Sequence, residues 1–214
     1  MTRREHVQIF DDWAERYDHS IRSDGDFPHD GYEQVLEKIV HLAAARPDWR
    51  VLDLGVGTGN LAECFVALGC AVWGIDFSSK MLEKARAKLP QARLVQADLL
   101  GDWPGELDRR FDCIVSSYAL HHFELATKLD LLQRLVRRYL AADGRIIVGD
   151  IAYPTVQIRE RERQQGDWEE DEYYWAADET VAACQEAGLD ARYEQVSSCA
   201  GVFAIEKDRG VGGR

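Results

Sequence analysis

The stretch "VLDLGVGTGN", residues 51–60, constrains this chain more than any other, because a run of strand-forming residues breaks into alternating glycines and a helical sequence follows. A strand that ends in glycines and continues as a helix is where an open parallel α/β sheet binds a ligand, at the carboxyl ends of its strands. The dinucleotide fingerprint would need Gly-x-Gly-x-x-Gly, but the spacing here is Gly55-x-Gly57-x-Gly59, and Asn60 fills the slot of the third glycine. Asp53 also stands two residues before the first glycine, where a carboxylate repels a pyrophosphate and attracts an ammonium group. The loop suits a cationic cofactor that presents no phosphate.

The rest of the chain alternates short β-branched runs with stretches of helical period, the signature of a parallel sheet with crossover helices. Strands are expected at about 50–55, 71–75, 92–97, 111–115 and 145–150. Between them "SSKMLEKARAKL" puts Met81, Leu82, Ala85 and Leu89 on one face with Ser78 as N-cap, and "LDLLQRLVRRYL" aligns Leu132, Leu135, Val136 and Tyr139 with its arginines outside. Asp143-Gly144 marks the turn into the fifth strand. After residue 150 come an irregular acidic segment, a helix at about 178–187 ending at Gly188, and two late strands near 191–197 and 200–206 that pair as an antiparallel edge. The expectation is a Rossmann-like doubly wound sheet, mostly parallel with an antiparallel late strand, and helices on both faces. It fills one domain over 1–209: a helical cover at 1–45, a cofactor-binding core at 50–150, a substrate-side insertion at 151–177 and a C-terminal helix and strands at 178–209, with 210–214 as a flexible tail.

The 214 residues suffice for one sizeable core and not for two. A net charge of −12 disfavours nucleic acid, whose nonspecific binding needs Lys and Arg to displace counterions, and points to a small-molecule partner. Five scattered cysteines without a Cys-x-x-Cys pair suggest thiols, and neither a disulfide framework nor a zinc cage. No apolar run approaches the roughly 18 residues of a membrane span, and "MTRREHVQIFDDWAERYD" lacks a signal-peptide core, so a cytoplasmic monomer or homodimer is expected.

These motifs together resemble the class I S-adenosylmethionine-dependent methyltransferases, over about residues 10–150. The resemblance assigns Gly55, Gly57 and Gly59 to close backbone approach to the methionine part and Asp53 to the ammonium side. In "WGIDFSSKM" it gives Asp76 the ribose hydroxyls and sets Phe77 and Met81 beside the adenine. In "VQADLL" it gives Asp98 and Leu99 the adenine edge, and in "FDCIVSSYALHHF" it runs Ser116 and Ser117 under the methionine moiety. "FDDWAERYD" places Phe10, Trp13, Ala14 and Tyr17 on one amphipathic face. In the family a similar helix covers the cofactor, which implies that Tyr17 reaches the methionine carboxylate. S-adenosyl-L-homocysteine is then the product.

Because the sulfonium methyl is already electrophilic, the protein mainly has to align an acceptor lone pair about 3 Å from it and exclude water. Aromatic faces such as Tyr17 or Phe123 favour the sulfonium. For an acceptor that carries a proton, the candidate bases are His121 and His122, of which at most one is expected to face the site, and Asp150 at the end of the fifth strand. No metal is expected at the histidine pair, since no further ligands stand at a usual spacing. "DWEEDEYYW" reads either as a solvated acidic loop or as a lid that attracts a cationic acceptor, and Arg159-Glu160-Arg161-Glu162-Arg163 as a solvated helix. The place of the Asn/Asp-Pro-Pro-Tyr/Phe motif of nucleobase methylation holds "SSYALHH". A nicotinamide oxidoreductase and a cofactor-binding regulatory protein without catalysis stand as the alternatives.

Overall fold

In the strand that leads into the glycine loop, Leu52 and Leu54 join the core on one side of the sheet and Val51 the core on the other, all three fully buried. Both faces of the sheet are therefore covered, which is why this strand, past the half-buried Arg50 at its start, is apolar except at Asp53. The computed structural model describes residues 27–166, 168 and 172–207. The expected cover helix with Tyr17 and the tail at 210–214 lie outside them.

In chain order the described elements are α1 (Tyr32–Ala43), β1 (Arg50–Leu54), α2 (Asn60–Ala67), β2 (Ala71–Asp76), α3 (Ser79–Lys88), β3 (Arg93–Gln96), β4 (Phe111–Ser117), α4 (Leu125–Arg134), β5 (Leu140–Tyr153), α5 (Val156–Gln165), β6 (Trp175–Ala176), α6 (Ala177–Glu186), β7 (Leu189–Gln195) and β8 (Ala200–Lys207). The sheet runs β3-β2-β1-β4-β5-β8-β7, with the two-residue β6 on the far end of β5. The pairs among β1 to β5 are parallel, while β8 is antiparallel to β5 and to β7. The order reverses between β1 and β4, so the ligand crevice opens beyond the carboxyl ends of those two strands.

The expected helix faces are present. Ser78 Oγ accepts the Met81 amide at 3.2 Å as the N-cap of α3, a bond of about 1 kcal/mol. Leu132, Leu135 and Tyr139 are buried, whereas Val136 is only half-buried. The physical reason is that α4 opens into a π turn at Leu135–Tyr139, which shifts the phase of the stripe. On the opposite face α1 lies directly on β5, where a Cβ at Gly149 would meet Ile39 and Val35 at 2.6 Å.

β5 extends past the expected 145–150 at both ends. Phe111 pairs with Leu140 but Cys113 with Arg145, so Asp143-Gly144 sits in a large bulge and not in a turn before the strand. At its other end Ala152 and Tyr153 gain a partner in β6. The chain thus returns to the sheet at Trp175.

Candidate active site

The three glycines of the loop all have left-handed backbones, with φ of 68° at Gly55, 52° at Gly57 and 89° at Gly59. They differ in what a side chain would meet. A Cβ at Gly55 would lie 2.4 Å from that of Ala119, and one at Gly59 2.8 Å from Leu89 Cδ1, so both glycines are required by packing within the chain. At Gly57 the nearest atom among the described residues is the Gly55 carbonyl oxygen at 4.0 Å. Of the three, Gly57 alone has room for a side chain among the described residues.

Asp53 stands beneath the loop, 1% exposed, and neither carboxylate oxygen has a hydrogen-bond partner among the described residues. Burial, reinforced by the charge of Asp76, holds its pKa well above the usual carboxylate range, against a smaller opposing effect of the Ala62 backbone. Asp76 ends β2 and accepts the Gly57 amide at 2.9 Å and the Ser78 amide at 2.8 Å, one on each oxygen. It therefore fixes the loop conformation.

The other residues expected at the cofactor lie on the elements that follow β2, β3 and β4 or at their ends. Phe77 is half-buried and its carbonyl accepts the Gln96 side chain at 2.9 Å, while Met81 is buried at the start of α3. Asp98 folds back to accept the Leu100 amide at 2.9 Å, and Leu99 packs into the core below. Ser116 is fully buried and donates to the Leu54 carbonyl at 2.9 Å, tying β4 to β1 at the switch point.

Beyond β4 the chain passes through Tyr118, with φ of 50°, into a single 3₁₀ turn at Leu120–His122. This turn aims His121 at β5, and its Nδ1 meets Asp150 Oδ1 at 2.6 Å. Asp150 is completely buried and also accepts the Leu120 amide at 3.1 Å, the Trp175 indole at 3.1 Å and the Ile151 amide at 2.9 Å. Burial pushes this carboxyl upward, but the charge and hydrogen bond of His121, the charge of Lys128 and the Trp175 donor together hold it below the usual range. Both histidines sit on this turn, His121 buried and His122 half-buried. The two rings lie 4.1 Å apart at 49°, because the tight turn lets consecutive planar side chains lean on each other.

A third group joins them from the acidic segment. Glu172 Oε1 lies 3.9 Å from His121 Nε2, and the Tyr174 hydroxyl donates to the other oxygen of Glu172. A spacing argument in sequence could not see this neighbour, since it arrives 50 residues after His122 (172 − 122 = 50). The Tyr173 amide donates to the His121 carbonyl at 2.7 Å, and Lys128 donates back to the Tyr173 carbonyl. Lys128 is 2% exposed and lies 4.0 Å over the Trp175 ring; burial lowers its pKa to about 7 despite the pull of Asp150. Tyr118, Tyr153, Trp168 and Tyr174 gather nearby in a small aromatic cluster with Ile151 and Cys199. Phe123, expected near the sulfonium, packs against the main core instead.

The methyltransferase-domain family profile matches residues 51–144, the span from β1 through the bulge of β5. A methyltransferase of Oceanobacillus iheyensis is 33% identical over 172 residues, which cover 76% of this chain and 76% of that protein. The chain belongs to the class I S-adenosylmethionine-dependent methyltransferases. The methyltransferase YrrT of Halobacillus halophilus is 29% identical over 216 residues, 95% of this chain and 98% of its own. Among solved structures, a DhpI–SAM–HEP complex superposes with a TM-score of 0.73 at 19% identity, covering 94% of this chain and 95% of that one. Magnesium protoporphyrin IX methyltransferase from Synechocystis with bound S-adenosylhomocysteine gives 0.70 at 20%, covering 92% and 98%.

This methyltransferase carries the features its cofactor requires. Asp53 is a buried carboxylate with no hydrogen-bond partner among the described residues, which an ammonium group would satisfy, and Gly57 is the loop glycine whose added Cβ would meet no described atom closer than 4.0 Å. The nicotinamide reading is set aside by the family and by the loop. Of the described helices, none is long and apolar enough to cross a membrane.

Proposed function

We propose that the chain transfers the methyl group of S-adenosylmethionine to a small-molecule acceptor held between the glycine loop and the aromatic cluster, in the cytosol. The observation that carries this reading is the His121–Asp150 pair, a buried imidazole locked at 2.6 Å to a buried carboxylate on a turn that touches the cofactor loop through Ala119 and Gly55. Asp150 fixes the ring so that Nδ1 carries the proton, and Nε2 is the atom that activates the acceptor. Tyr118 supports the acceptor side: its hydroxyl is buried with no partner among the described residues, and burial keeps it protonated and able to donate. The −12 net charge and the enclosure by β6 favour a small acceptor over nucleic acid. Tyr17 closes on the methionine carboxylate, the role its resemblance gives it.

The cofactor supplies an activated methyl on sulfur, and the chain's work is alignment, exclusion of water and removal of the acceptor's proton. The test is methyl release from labelled cofactor with a panel of small hydroxyl, thiol and amine acceptors. Turnover that needs His121 supports the reading, and binding of S-adenosylhomocysteine without turnover of any acceptor class favours a regulatory role.

A further inference from the structure

We infer that His121, His122 and Glu172 form a zinc site that holds the reacting heteroatom of the acceptor. One donor atom from each residue lies within 4.8 Å of those of the other two. Two imidazoles and one carboxylate, with a fourth position left for substrate, make a catalytic zinc donor set. Bonds of about 2.0–2.2 Å place two tetrahedral donors about 3.3–3.6 Å apart, against 3.9 Å between His121 Nε2 and Glu172 Oε1. Closure around an ion asks for side-chain shifts of a few tenths of an ångström to about 1 Å, and His122 and Glu172 are both only half-buried.

The outer contacts are what separate this cluster from a chance meeting of side chains. A zinc-bound histidine commonly donates its other nitrogen to a carboxylate, which fixes the ring and raises its basicity. His121 has this partner in Asp150, itself held by the Trp175 indole and the Leu120 and Ile151 amides. On the other ligand the Tyr174 hydroxyl occupies one oxygen of Glu172 and leaves Oε1 turned toward His121. Two of the three donors are thus oriented by hydrogen bonds with residues outside the donor set.

The inference rests on the acceptor-side reading above and changes how the acceptor is activated. An acceptor hydroxyl or thiol would bind at the fourth position and release its proton to solvent, as coordination lowers its pKa. Its lone pair would form the bond to the methyl carbon while the carbon–sulfur bond breaks, the bonding pair returning to sulfur to give neutral S-adenosylhomocysteine. No other reactant is needed.

The test uses the untagged full chain stripped with chelator and titrated with Zn²⁺ by calorimetry, with Co²⁺ absorption as a second readout of tetrahedral geometry. The expected result is one ion per chain, with affinity reduced at least tenfold in His122→Ala and in Glu172→Gln and about 10–100-fold in Asp150→Asn. Both direct-ligand variants alter half-buried side chains, so their folding is checked by unchanged S-adenosylhomocysteine binding. Absence of stoichiometric binding, or equal affinity in wild type, His122→Ala and Glu172→Gln, overturns the zinc site. Turnover that persists undiminished in chelator also overturns it while leaving the methyltransferase reading intact; failure of every acceptor class to turn over, with zinc bound, would instead count against that reading.

Discussion

Gly55 and Ala119 are in such close contact that a methyl group on the glycine would fall 2.4 Å from the alanine Cβ. The cofactor loop and the turn that carries the histidines are therefore one packed unit, and the crevice between them has fixed walls. Interiors packed at this density transmit displacement instead of absorbing it.

Gly55→Ala and Gly57→Ala should accordingly differ. Both place a side chain at positive φ, which costs about 1–2 kcal/mol. Gly55→Ala adds overpacking of about 1–3 kcal/mol and should lower the melting temperature more. Gly57→Ala points into open space, so its stability loss should be the smaller while affinity for S-adenosylhomocysteine falls at least tenfold. Thermal melts with calorimetry check this, and parallel losses in both properties for both variants would show that Gly57 is structural only.

Asp53 sets up an opposition between stability and binding. Its folded pKa is raised, first by burial and then by Asp76, so its contribution to stability is fully present below the unfolded value of about 3.9 and is lost as pH rises through the folded value. Above that value an ionised, unpartnered carboxylate burdens the fold. Asp53→Asn should then be more stable than wild type in urea at pH about 8, with the advantage vanishing near pH 4, yet bind S-adenosylhomocysteine at least tenfold more weakly. A variant less stable at both pH values would contradict the unpartnered state of this group.

Trp175→Phe removes one donor from Asp150 and keeps an aromatic ring beneath Lys128. A lost hydrogen bond to a buried charge costs about 1.5–3 kcal/mol. As a positioning residue, Trp175 should affect kcat while leaving S-adenosylhomocysteine affinity within about twofold. Equal losses in kcat and cofactor affinity would mean that β6 supports the whole crevice and not the His121–Asp150 pair.

Lys128 titrates near 7 when folded, chiefly through burial, and near 10.4 when unfolded. Between those values the unfolded chain holds a proton that the folded chain has released, so wild-type stability rises with pH across this window. Lys128→Met has no such group, and the stability difference between the two proteins should move in favour of wild type from pH about 7 to 9. Urea unfolding at both pH values reads this directly, and a constant difference would show that Lys128 keeps its charge.

Much of the fold was legible because it depends on local pattern. Ser78 acts as the expected N-cap, and β1, β2 and β4 begin at the expected residues, since burial on both faces leaves an apolar signature. The roles within the glycine loop were legible only in part: the sequence marks three glycines, but which of them faces a ligand depends on Ala119 and Leu89, contributed by other segments. The acceptor side was least legible. Asp150 and His121 were named as separate candidates, yet their pairing needs the parallel register of β4 and β5. Glu172, Trp175 and Lys128 carry no periodic signal; for the first two the density of acids and aromatics in "DWEEDEYYW" is the only hint, and it suits a solvated loop slightly better.

The most direct test of the account is single-turnover methyl transfer with His121→Gln, beside wild type, using whichever small acceptor the panel identifies. The account predicts that S-adenosylhomocysteine affinity stays within about twofold while the transfer rate falls by about 10²–10⁴, whether the ring takes the acceptor's proton or holds the ion that activates it. Transfer at the wild-type rate in a folded His121→Gln protein would contradict it, because the His121–Asp150 pair would then be no more than a structural tie between β5 and the turn after β4.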